Sequence, residues 1–332
     1  MNTVGTLFKV TLYGESHQKA IGVVIDGVPA GLPIDSALIH KDLAARKPGN
    51  KGTTTRIEKD AFTITSGIFN GHATGSPIHI MIENKDVQSK DYRNIKRHPR
   101  PGHADFVAEK KYQGYHDYRG GGRFSGRLTA AIVCAGAIAK MVLPFKLYHQ
   151  LIQVGTLKDM SKLDDYLAPI IAAGDSVGGI IKLWTDPLPI GLGEPNFYKL
   201  DGEIAKMMFS IPAVKGVDFG TGFEGIDLFG SAFNDAIEDD SGKTRTNHSG
   251  GVSGGLSNGN PLSLRVMIKP PSSIAKPQHT YHQDKKTQET LTIKGRHDAC
   301  IARRAGIVLE NALAMVLADM VLLNNAHKTF SP

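Results

Sequence analysis

The sequence predicts a folded protein that mixes strands and helices. Three segments carry the β-branched or alternating apolar residues that are typical of strands, namely 22–26, 76–83 and 262–268. Within the second, Ile78, Ile80 and Ile82 recur with a period of two, which places their side chains on one face of a strand. Segments 129–143 and 299 to about 324 instead have a helix-forming, apolar composition. Hydrophobic residues make up 41% of the chain and charged residues 21%, so neither a disordered nor a membrane protein is indicated.

Local signals mark the ends of two short helices. Asp35 or Ser36 is expected to cap a helix that stops before Pro48, and Asp201 to cap another that stops before Pro212. Such side chains accept hydrogen bonds from N–H groups that the first helical turn leaves unpaired. The sequence therefore predicts short helices interspersed with the strands.

Two longer helices are predicted to lie in the core. The alanine-rich segment 129–143 is closed by Pro144, and segment 299–324 is apolar on most faces. Charged residues interrupt the second segment well before the ~20 apolar residues that a membrane span requires, so we expect protein around it. Those charged residues are Arg303, Arg304, Glu310 and Asp319.

The N-terminus favours a cytoplasmic protein, and the two cysteines indicate neither disulfides nor zinc. Residues 1–17 have neither a continuous apolar core nor a cleavage-site pattern, so no secretion signal is predicted. Cys134 and Cys300 lie far apart and outside any CxxC pattern, which argues against a disulfide framework and a structural zinc site. We expect both to be packed thiols.

A net charge of +7 and a pI near 9.2 favour an anionic partner. Charge alone does not distinguish nucleic acid, a phosphorylated metabolite and an acidic cofactor. Several arginines, however, lie in or near glycine-rich sequence and not on a lysine-rich tail, and rigid guanidinium groups beside flexible backbone suit small oxyanions. These arginines are Arg97, Arg100, Arg119, Arg123 and Arg127.

Two glycine-dense stretches, 120–126 and 250–259, are candidate site loops, because glycine costs backbone entropy unless the chain must bend sharply or approach a ligand. Segments 158–165 and 275–288 are polar and irregular, and we predict that they lie on the surface. The second of these is a candidate lid.

Two histidine motifs are candidates for acid–base chemistry. GESH (14–17) places His17 after a strand-like run, and RPGHAD (100–105) places His103 in a turn beside a basic segment. Taken alone, a histidine in a turn such as that of GESH is more often a hydrogen-bonded structural residue. A metal site is not predicted, because the spacing of the available ligands matches no usual zinc pattern. Those ligands are His98, His103, Asp105 and His116.

Segment 117–127, DYRGGGRFSGR, precedes the alanine-rich helix and combines three arginines with four glycines. Backbone N–H groups at a helix start and guanidinium groups both favour an anion, so this segment is a candidate phosphate cradle. The alternative is an ordinary exposed basic loop. KPPSS (269–273) presents rigid backbone and hydroxyls but is also compatible with any turn. On local grounds Asp298 of GRHD (295–298) is predicted to cap the last helix.

GTGFEG (220–225) has the spacing of a dinucleotide fingerprint, but an acidic, glycine-containing segment follows it where a helix should begin. We therefore predict no Rossmann site here. The chain also contains no GxxxxGK[ST] phosphate loop.

Seven motifs taken together resemble the chorismate synthase family, in the order in which that family has them. They are GESH, RPGHADF, YRGGGRFSGRLTA, IPAVKG, NHSGG, KPPSS and GRHDAC, and the resemblance as a whole runs from Val4 to the C-terminal helix. The resemblance implies an α+β fold, a β-α-β sandwich with core helices between antiparallel sheets, as a single domain over residues 1–332. It also implies a homotetramer.

The resemblance further implies a reduced flavin mononucleotide cofactor and a 1,4-anti elimination of phosphate from 5-enolpyruvylshikimate 3-phosphate, giving chorismate. By position, His17 corresponds to a histidine that assists the departing phosphate and His103 to one that protonates the reduced flavin. Asp298 corresponds to an aspartate that acts with flavin N5 to remove the substrate proton. NADPH is a candidate reductant, and an external reductase is the alternative.

Positions for binding follow from the same resemblance. Those expected to contact the flavin are Arg123, Phe124, Ser125, Pro212, Ala213, Gly254, Lys269, Pro270, Pro271, Ser272, Ser273 and Arg296. Those expected to contact substrate or NADPH are Arg46, Lys51, Arg127 and Arg304.

The chain departs from the family pattern at several of these places. Gln18 replaces a common glycine, Gly126 a common alanine and Pro212 a common asparagine, so the flavin contacts there are expected to involve backbone. The segment after Pro48 is short; it keeps Arg56 but lacks an earlier arginine, for which Lys51 is an imperfect substitute.

Two rival hypotheses remain. A nucleic-acid-binding protein would use the basic run 90–100, but aromatic residues make up only 7% of the chain and no RRM or KH signature occurs. A flavoprotein of the same fold without lyase activity is the other rival. His17, His103 and Asp298 are all present, which favours an active enzyme.

Overall fold

Two antiparallel sheets flank a layer of helices in the computed structural model, which describes residues 1–49, 51–53, 60–85, 96–293, 295 and 297–328. The strands are β1 (Thr3–Val4), β2 (Lys9–Gly14), β3 (Ala20–Asp26), β4 (Phe62–Ser66), β5 (Ile68–Phe69), β6 (His72–Ala73), β7 (Ile78–Glu83), β8 (Leu147–Val154), β9 (Gly179–Pro187), β10 (Val214–Phe219), β11 (Val252–Ser253), β12 (Leu256–Ser257), β13 (Pro261–Ile268), β14 (Gln278–His282) and β15 (Thr287–Leu291). The helices are α1 (Ser36–Arg46), α2 (Asp105–Lys111), α3 (Thr129–Val142), α4 (Leu163–Ala172), α5 (Leu200–Ser210), α6 (Gly230–Phe233) and α7 (Ala302–Ala326).

The first sheet has the order β1-β2-β3-β7-β4. Its register pairs Val23 of β3 with Ile80 of β7, and Ile25 with Ile78, and all four side chains are fully buried. The period of two in the sequence therefore corresponds to one buried face, as predicted. This face packs against α3.

The second sheet has the order β10-β13-β9-β8 and packs against α7 and α5. The predicted strand 262–268 is β13, whose Leu262, Leu264 and Val266 are fully buried and alternate with more exposed residues. One hydrophobic core, to which both sheets contribute, runs through the helix layer. The predicted β-α-β sandwich is confirmed.

The helix layer brings α3 and α7 into close contact. A Cβ on Gly136 of α3 would lie 2.3 Å from the Cβ of Asn311 on α7, so only glycine allows the two backbones to approach this closely. Lys140 of α3 donates to Asp42 of α1 at 2.7 Å and to Glu310 of α7 at 2.5 Å. This buried ion cluster fixes the three helices whose ends form the site described below.

By length and composition α7 is apolar enough to cross a membrane, despite its charged residues. Protein covers 89% of its most apolar window, however, as is usual for a core helix. The predicted core location of α7 is confirmed. What supports it is the burial of the helix in protein, and not the charged residues on which the prediction relied. Cys134 of α3 and Cys300 are also buried, as expected, and burial raises the pKa of Cys134 to about 12.

Tertiary context changes some of the predicted local structure. Asp35 caps α1 as expected, accepting from the N–H groups of Ala37 and Leu38. Asp201 does not cap α5, because that helix begins one residue earlier, at Leu200, and Asp201 lies in its first turn. Segment 158–165 is not irregular throughout, since α4 begins at Leu163.

Segment 275–288 is also more regular than predicted. Most of it belongs to an antiparallel hairpin, in which β14 pairs with β15. His98 Nε2 lies 3.3 Å from the carbonyl oxygen of Thr280, which ties the hairpin to the segment before RPGHAD.

A buried carboxylate anchors the N-terminal segment to α7. Asp319 Oδ1 accepts from the N–H groups of Leu7 at 2.7 Å and Phe8 at 2.8 Å, and Oδ2 accepts from Thr6 at 2.9 Å. We expect Asp319→Asn to lower the free energy of unfolding by about 1–2 kcal/mol, because one charge-assisted acceptor is lost. Urea denaturation measures this effect. An unchanged midpoint would contradict the anchoring role.

Candidate active site

A cleft of about 330 Å³ opens where segments from distant parts of the chain meet. It lies between the end of α1, the glycine loop before α3, the segment after α5, the KPPSS turn after β13 and the start of α7. The lining residues are Arg46, Lys47, Pro48, Asp60, His103, Gly120, Ser125, Gly126, Arg127, Thr129, Ile211, Pro212, Pro271, Ser272, Ser273, His297, Asp298, Ile301, Arg304, Ala305 and Val308. Five of the seven motifs contribute to it.

Asp60 holds two arginines together on one wall of the cleft. Arg46 Nη1 lies 3.3 Å from Asp60 Oδ2, and Arg127 Nη1 contacts Oδ1. All three side chains are at least 93% buried, and Arg46 also donates to Thr129 Oγ1 at 2.8 Å. One carboxylate thus faces two guanidinium groups, which leaves this wall with a net positive charge suited to an anion.

Asp298 and Arg304 form a second ion pair in the cleft. Arg304 Nη2 donates to Asp298 Oδ2 at 2.7 Å, and Nε donates to Oδ1 at 3.3 Å. The prediction that Asp298 caps the last helix is wrong, because α7 begins at Ala302 with Ile301 at the cap position. The Asp298 carboxylate is instead held in the cleft by a two-point contact with the guanidinium of Arg304.

His103 is held between a carboxylate and a guanidinium. Its Nδ1 lies 2.6 Å from Asp105 Oδ1, and Arg100 binds the same carboxylate through Nε and Nη2, both at 2.8 Å. Arg100 Nη1 also donates to Ser273 Oγ of the KPPSS turn at 2.9 Å. The RPGHAD and KPPSS motifs therefore meet in one hydrogen-bonded group.

Burial by itself would raise the pKa of Asp105, but hydrogen bonds from Arg100 and His103 outweigh this and hold it far below its ordinary 3.8. A carboxylate with a lowered pKa stabilises the fold above its ordinary value, and this contribution is lost as the pH falls below it. We expect the difference in unfolding free energy between wild type and Asp105→Asn to have its maximum value near about pH 6 and to become smaller below about pH 4.

Urea titrations at each pH measure this difference, with the exposed Asp240→Asn as the matched control. A gap that stayed constant down to about pH 2 would show that the charge of Asp105 contributes nothing.

The glycine loop allows His17 to lie directly behind Gly120, which lines the cleft. Gly120, Gly121 and Gly122 all have positive φ angles, of 58°, 79° and 50°. A Cβ on Gly120, which lines the cleft, would lie 2.5 Å from His17 Nε2, so a side chain there would displace the imidazole. Beside it, Ser125 Oγ donates to Ser16 Oγ at 3.2 Å. His17 is 94% buried behind this loop.

Some candidate positions lie beside the cleft and not in its lining. The Arg123 guanidinium donates to the carbonyl of Gly14 at 2.9 Å, and Phe124 is partly exposed. Lys269 Nζ donates to the carbonyl of Gly102 at 2.5 Å, and burial, with a smaller effect of Lys215, lowers its pKa.

Other candidates occupy neighbouring or separate positions. Ala213 follows the lining residue Pro212 with a φ of 73°, a left-handed conformation that is uncommon for alanine. Pro270 precedes the lining part of KPPSS, and Lys51 is exposed, with its carbonyl bound by Arg303. Arg296 and Arg56 lie outside the described residues.

The second glycine stretch, 250–259, contributes no residue to the described lining. A Cβ on Gly250 would lie 2.4 Å from the backbone nitrogen of Gly220, so close backbone packing explains this glycine. Gly254 lies between β11 and β12, and the next residue, Gly255, accepts from the N–H of Leu200 at the start of α5. The lining residue Pro212 follows the opposite end of α5, and that helix is about 16 Å long. The segment of Gly254 thus contacts the end of α5 that does not lead into the cleft.

Comparison with known proteins identifies the family of this chain. The family model described as chorismate synthase matches residues 8–322. A chorismate synthase of Chitinophaga pinensis is 52% identical over 97% of both chains, and one of Dehalococcoides mccartyi is 44% identical over 97% of this chain and 96% of the relative. The chain belongs to the chorismate synthase family.

Members of the chorismate synthase family are carbon–oxygen lyases, and this chain is therefore an enzyme of that class. A crystal structure of chorismate synthase superposes with a TM-score of 0.73 at 26% identity, covering 97% of this chain and 93% of the other. The family assignment argues against the nucleic-acid-binding hypothesis. It also supports the motif-based resemblance on which the candidate residues were assigned.

Sequence reasoning missed His297 and Asp60, which line the cleft. His297 lies inside the GRHD motif, so motif membership was an available signal. Asp60 had none, because its partners Arg46 and Arg127 lie 14 and 67 residues away. Among the described residues, no group of three or more potential metal ligands occurs.

Proposed function

We propose that this protein converts 5-enolpyruvylshikimate 3-phosphate to chorismate by a 1,4-anti elimination of phosphate that depends on reduced flavin mononucleotide. The observation that carries the proposal is the meeting, in and beside one cleft, of Arg46, Arg127 and Arg304 with His103 and Asp298. Sequence separations of more than 250 residues are closed by the fold to form this group. Family membership supports the same activity.

The charges of the cleft suit the proposed substrate, which carries two carboxylates and a phosphate. Arg46 and Arg127 on one wall and Arg304 on another offer guanidinium groups to separate anionic ends. The paired aspartates, Asp60 and Asp298, keep these side chains extended into the cleft before an anion arrives. Positioning of the substrate by such clamps contributes directly to rate.

The cleft also fits a flavin in the character of its lining. Ser125, Ser272 and Ser273 offer hydroxyl groups, while Pro212 and Pro271 offer rigid apolar surface for a planar ring. When bound, the reduced flavin supplies electron density transiently while phosphate leaves.

The protein's own residues then manage protons and charge. His17, at the edge of the cleft behind Gly120, donates a proton to the departing phosphate. Asp298, oriented by Arg304, accepts the proton that leaves the substrate. His103 keeps a proton on Nδ1, because the ionised Asp105 beside it can only accept.

An anaerobic assay tests the proposal directly. Purified protein, chemically reduced flavin mononucleotide and 5-enolpyruvylshikimate 3-phosphate are mixed, and chorismate absorbance and released phosphate are followed. Equal appearance of both products is expected. Binding of both ligands without product would contradict the activity, and absence of any binding would contradict the assignment of the site.

Three further parts of the proposal do not rest on the cleft. A cytoplasmic location follows from the N-terminal sequence, and NADPH as the reductant and a homotetramer follow from the resemblance. Light scattering tests the last of these. A stable, active monomer would overturn it.

A further inference from the structure

Asn84 follows the end of β7 and lies outside the described lining of the cleft, yet its side chain contacts two parts of the site. Its Nδ2 donates to the carbonyl oxygens of Glu15 at 3.0 Å and Gln18 at 2.8 Å. Its Oδ1 accepts from Arg127 Nε at 3.0 Å. One side chain thus joins the GESH segment to an arginine of the cleft, although its partners lie 43 to 69 residues away in the sequence.

The first of these parts is a turn at residues 15–18, which we call the histidine turn. A backbone hydrogen bond of 3.2 Å between its first and last residues closes it, and its central residues, Ser16 and His17, are buried. The two carbonyl oxygens that Asn84 binds therefore lie on either side of His17. The N–H of Asn84 also donates to the carbonyl of Lys19 at 3.0 Å, which continues the pairing of β7 with β3 up to the turn. Asn84 thus fixes the backbone from which the His17 imidazole projects.

The second part is the guanidinium of Arg127, whose side chain is 5% exposed. Its Nη1 contacts the carboxylate of Asp60, and its Nη2 donates to the carbonyl of Glu83 at 3.4 Å. The bond from Nε to Asn84 adds a contact on another edge of the planar fork. Contacts at separate nitrogens of a rigid, planar group fix its plane as well as its position.

The chemistry of these contacts requires an amide at position 84. An asparagine side chain carries two N–H donors on one atom and an acceptor on the other. Its surroundings present two carbonyl oxygens on one side and a guanidinium N–H on the other. Aspartate would place an acceptor against the two carbonyls, and alanine would remove all three hydrogen bonds.

We propose that Asn84 is a positioning residue, which holds the histidine turn and the guanidinium of Arg127 in a fixed relation to each other. The inference rests on the proposed function, in which Arg127 binds an anionic end of the substrate and His17 protonates the departing phosphate. A proton donor works only within hydrogen-bond reach of the atom that it protonates. Because Arg127 places the anion and His17 places the proton, an error in their separation lowers the rate even when both side chains are present.

Asn84→Ala is expected to lower kcat about tenfold or more, because a misplacement of about 1 Å in a site can cost about 10²-fold. The matched control is Asn260→Ala, just before β13 and outside the described lining of the cleft. Asn260 is also buried; it accepts from the N–H of Thr244 and donates to the carbonyl of Gly242, both at 3.0 Å. Both variants should lower the thermal midpoint, but Asn260→Ala should keep the kcat of the wild type. Equal losses of kcat in the two variants would indicate a general loss of structure and overturn the inference.

Asn84→Asp tests the two N–H donors separately. It keeps the shape of the side chain and an acceptor for Arg127, but it opposes both carbonyls of the histidine turn. Its kcat should fall at least as far as that of Asn84→Ala. A wild-type kcat in Asn84→Asp would show that the donors to the turn are not needed and would also overturn the inference.

Two double-mutant cycles show through which groups Asn84 acts. In His17→Ala, the further change Asn84→Ala should alter kcat by less than about threefold, because the imidazole that it positions is already absent. In Arg127→Lys, which keeps the charge but has no Nε–H for Asn84, the same change should cost less than it does in the wild type. A loss as large as that in the wild type, in either background, would contradict the positioning role.

The anaerobic assay at saturating flavin and substrate measures kcat for all of these proteins. A wild-type protein that makes no chorismate would refute the proposed function. An active wild type with an equally active Asn84→Ala would refute the positioning role alone, so the two failures are distinguishable.

Discussion

Asp60→Ala is expected to lower the free energy of unfolding by about 3–5 kcal/mol, the usual cost of removing one partner from a buried ion pair. The Asp60 side chain is 1% exposed and faces Arg46 and Arg127, whose side chains are 7% and 5% exposed. Without the carboxylate, two guanidinium groups lie buried beside each other with less compensation. Urea denaturation at neutral pH measures the loss.

The design of this experiment separates charge from shape. Asp60→Asn keeps an acceptor without the charge and should lie between Asp60→Ala and the wild type. Asp240→Ala, at an exposed position, should stay within about 0.5 kcal/mol of the wild type. Inorganic phosphate should stabilise Asp60→Ala more than the wild type, because an anion can replace the missing carboxylate. An Asp60→Ala protein of wild-type stability would contradict the role of the pair.

Alanine substitution of either His17 or His103 is expected to reduce turnover by ~10² or more, the usual contribution of a positioned acid or base. His17 is 94% buried against Gly120, and His103 is held by Asp105, so alanine at either position removes an imidazole that the fold holds in place. The anaerobic assay at saturating flavin and substrate measures kcat for each variant.

Binding measurements keep this result interpretable. Flavin affinity should stay close to that of the wild type in His17→Ala, because that side chain lies behind the glycine loop and outside the described lining of the cleft. His279→Ala on the exposed hairpin should have normal turnover. Near-normal turnover in both His17→Ala and His103→Ala would refute their assignment to proton transfer.

The Asp298–Arg304 pair shows how local and tertiary information diverge. An aspartate before a long helix is a strong capping signal, and sequence reasoning assigned Asp298 to that task. In the fold its carboxylate instead accepts two hydrogen bonds from Arg304 and faces the cleft. A side chain takes the partner that satisfies its charge best, and here the guanidinium six residues along the chain outweighs backbone N–H groups.

The sequence by itself determined the elements that have a strong period and the motifs that meet in the cleft. β3, β7, β13, α3 and α7 are encoded locally, because burying one face of a strand or helix requires a regular spacing of apolar residues. The motif glycines 120–122 were likewise recognisable, since their positive φ angles exclude most other residues. The sandwich itself was predicted by resemblance and not by this local pattern.

Only the tertiary structure decided which charges pair. The pairing of Asp60 with Arg46 and Arg127, and that of Asp105 with Arg100 and His103, carry no local signature. An ion pair depends on the distance between side chains and on their removal from water, and both are set by how the sheets and helices pack. The hairpin of β14 and β15 was missed because its polar residues resemble a loop, and cross-strand hydrogen bonds that no local pattern reveals define it.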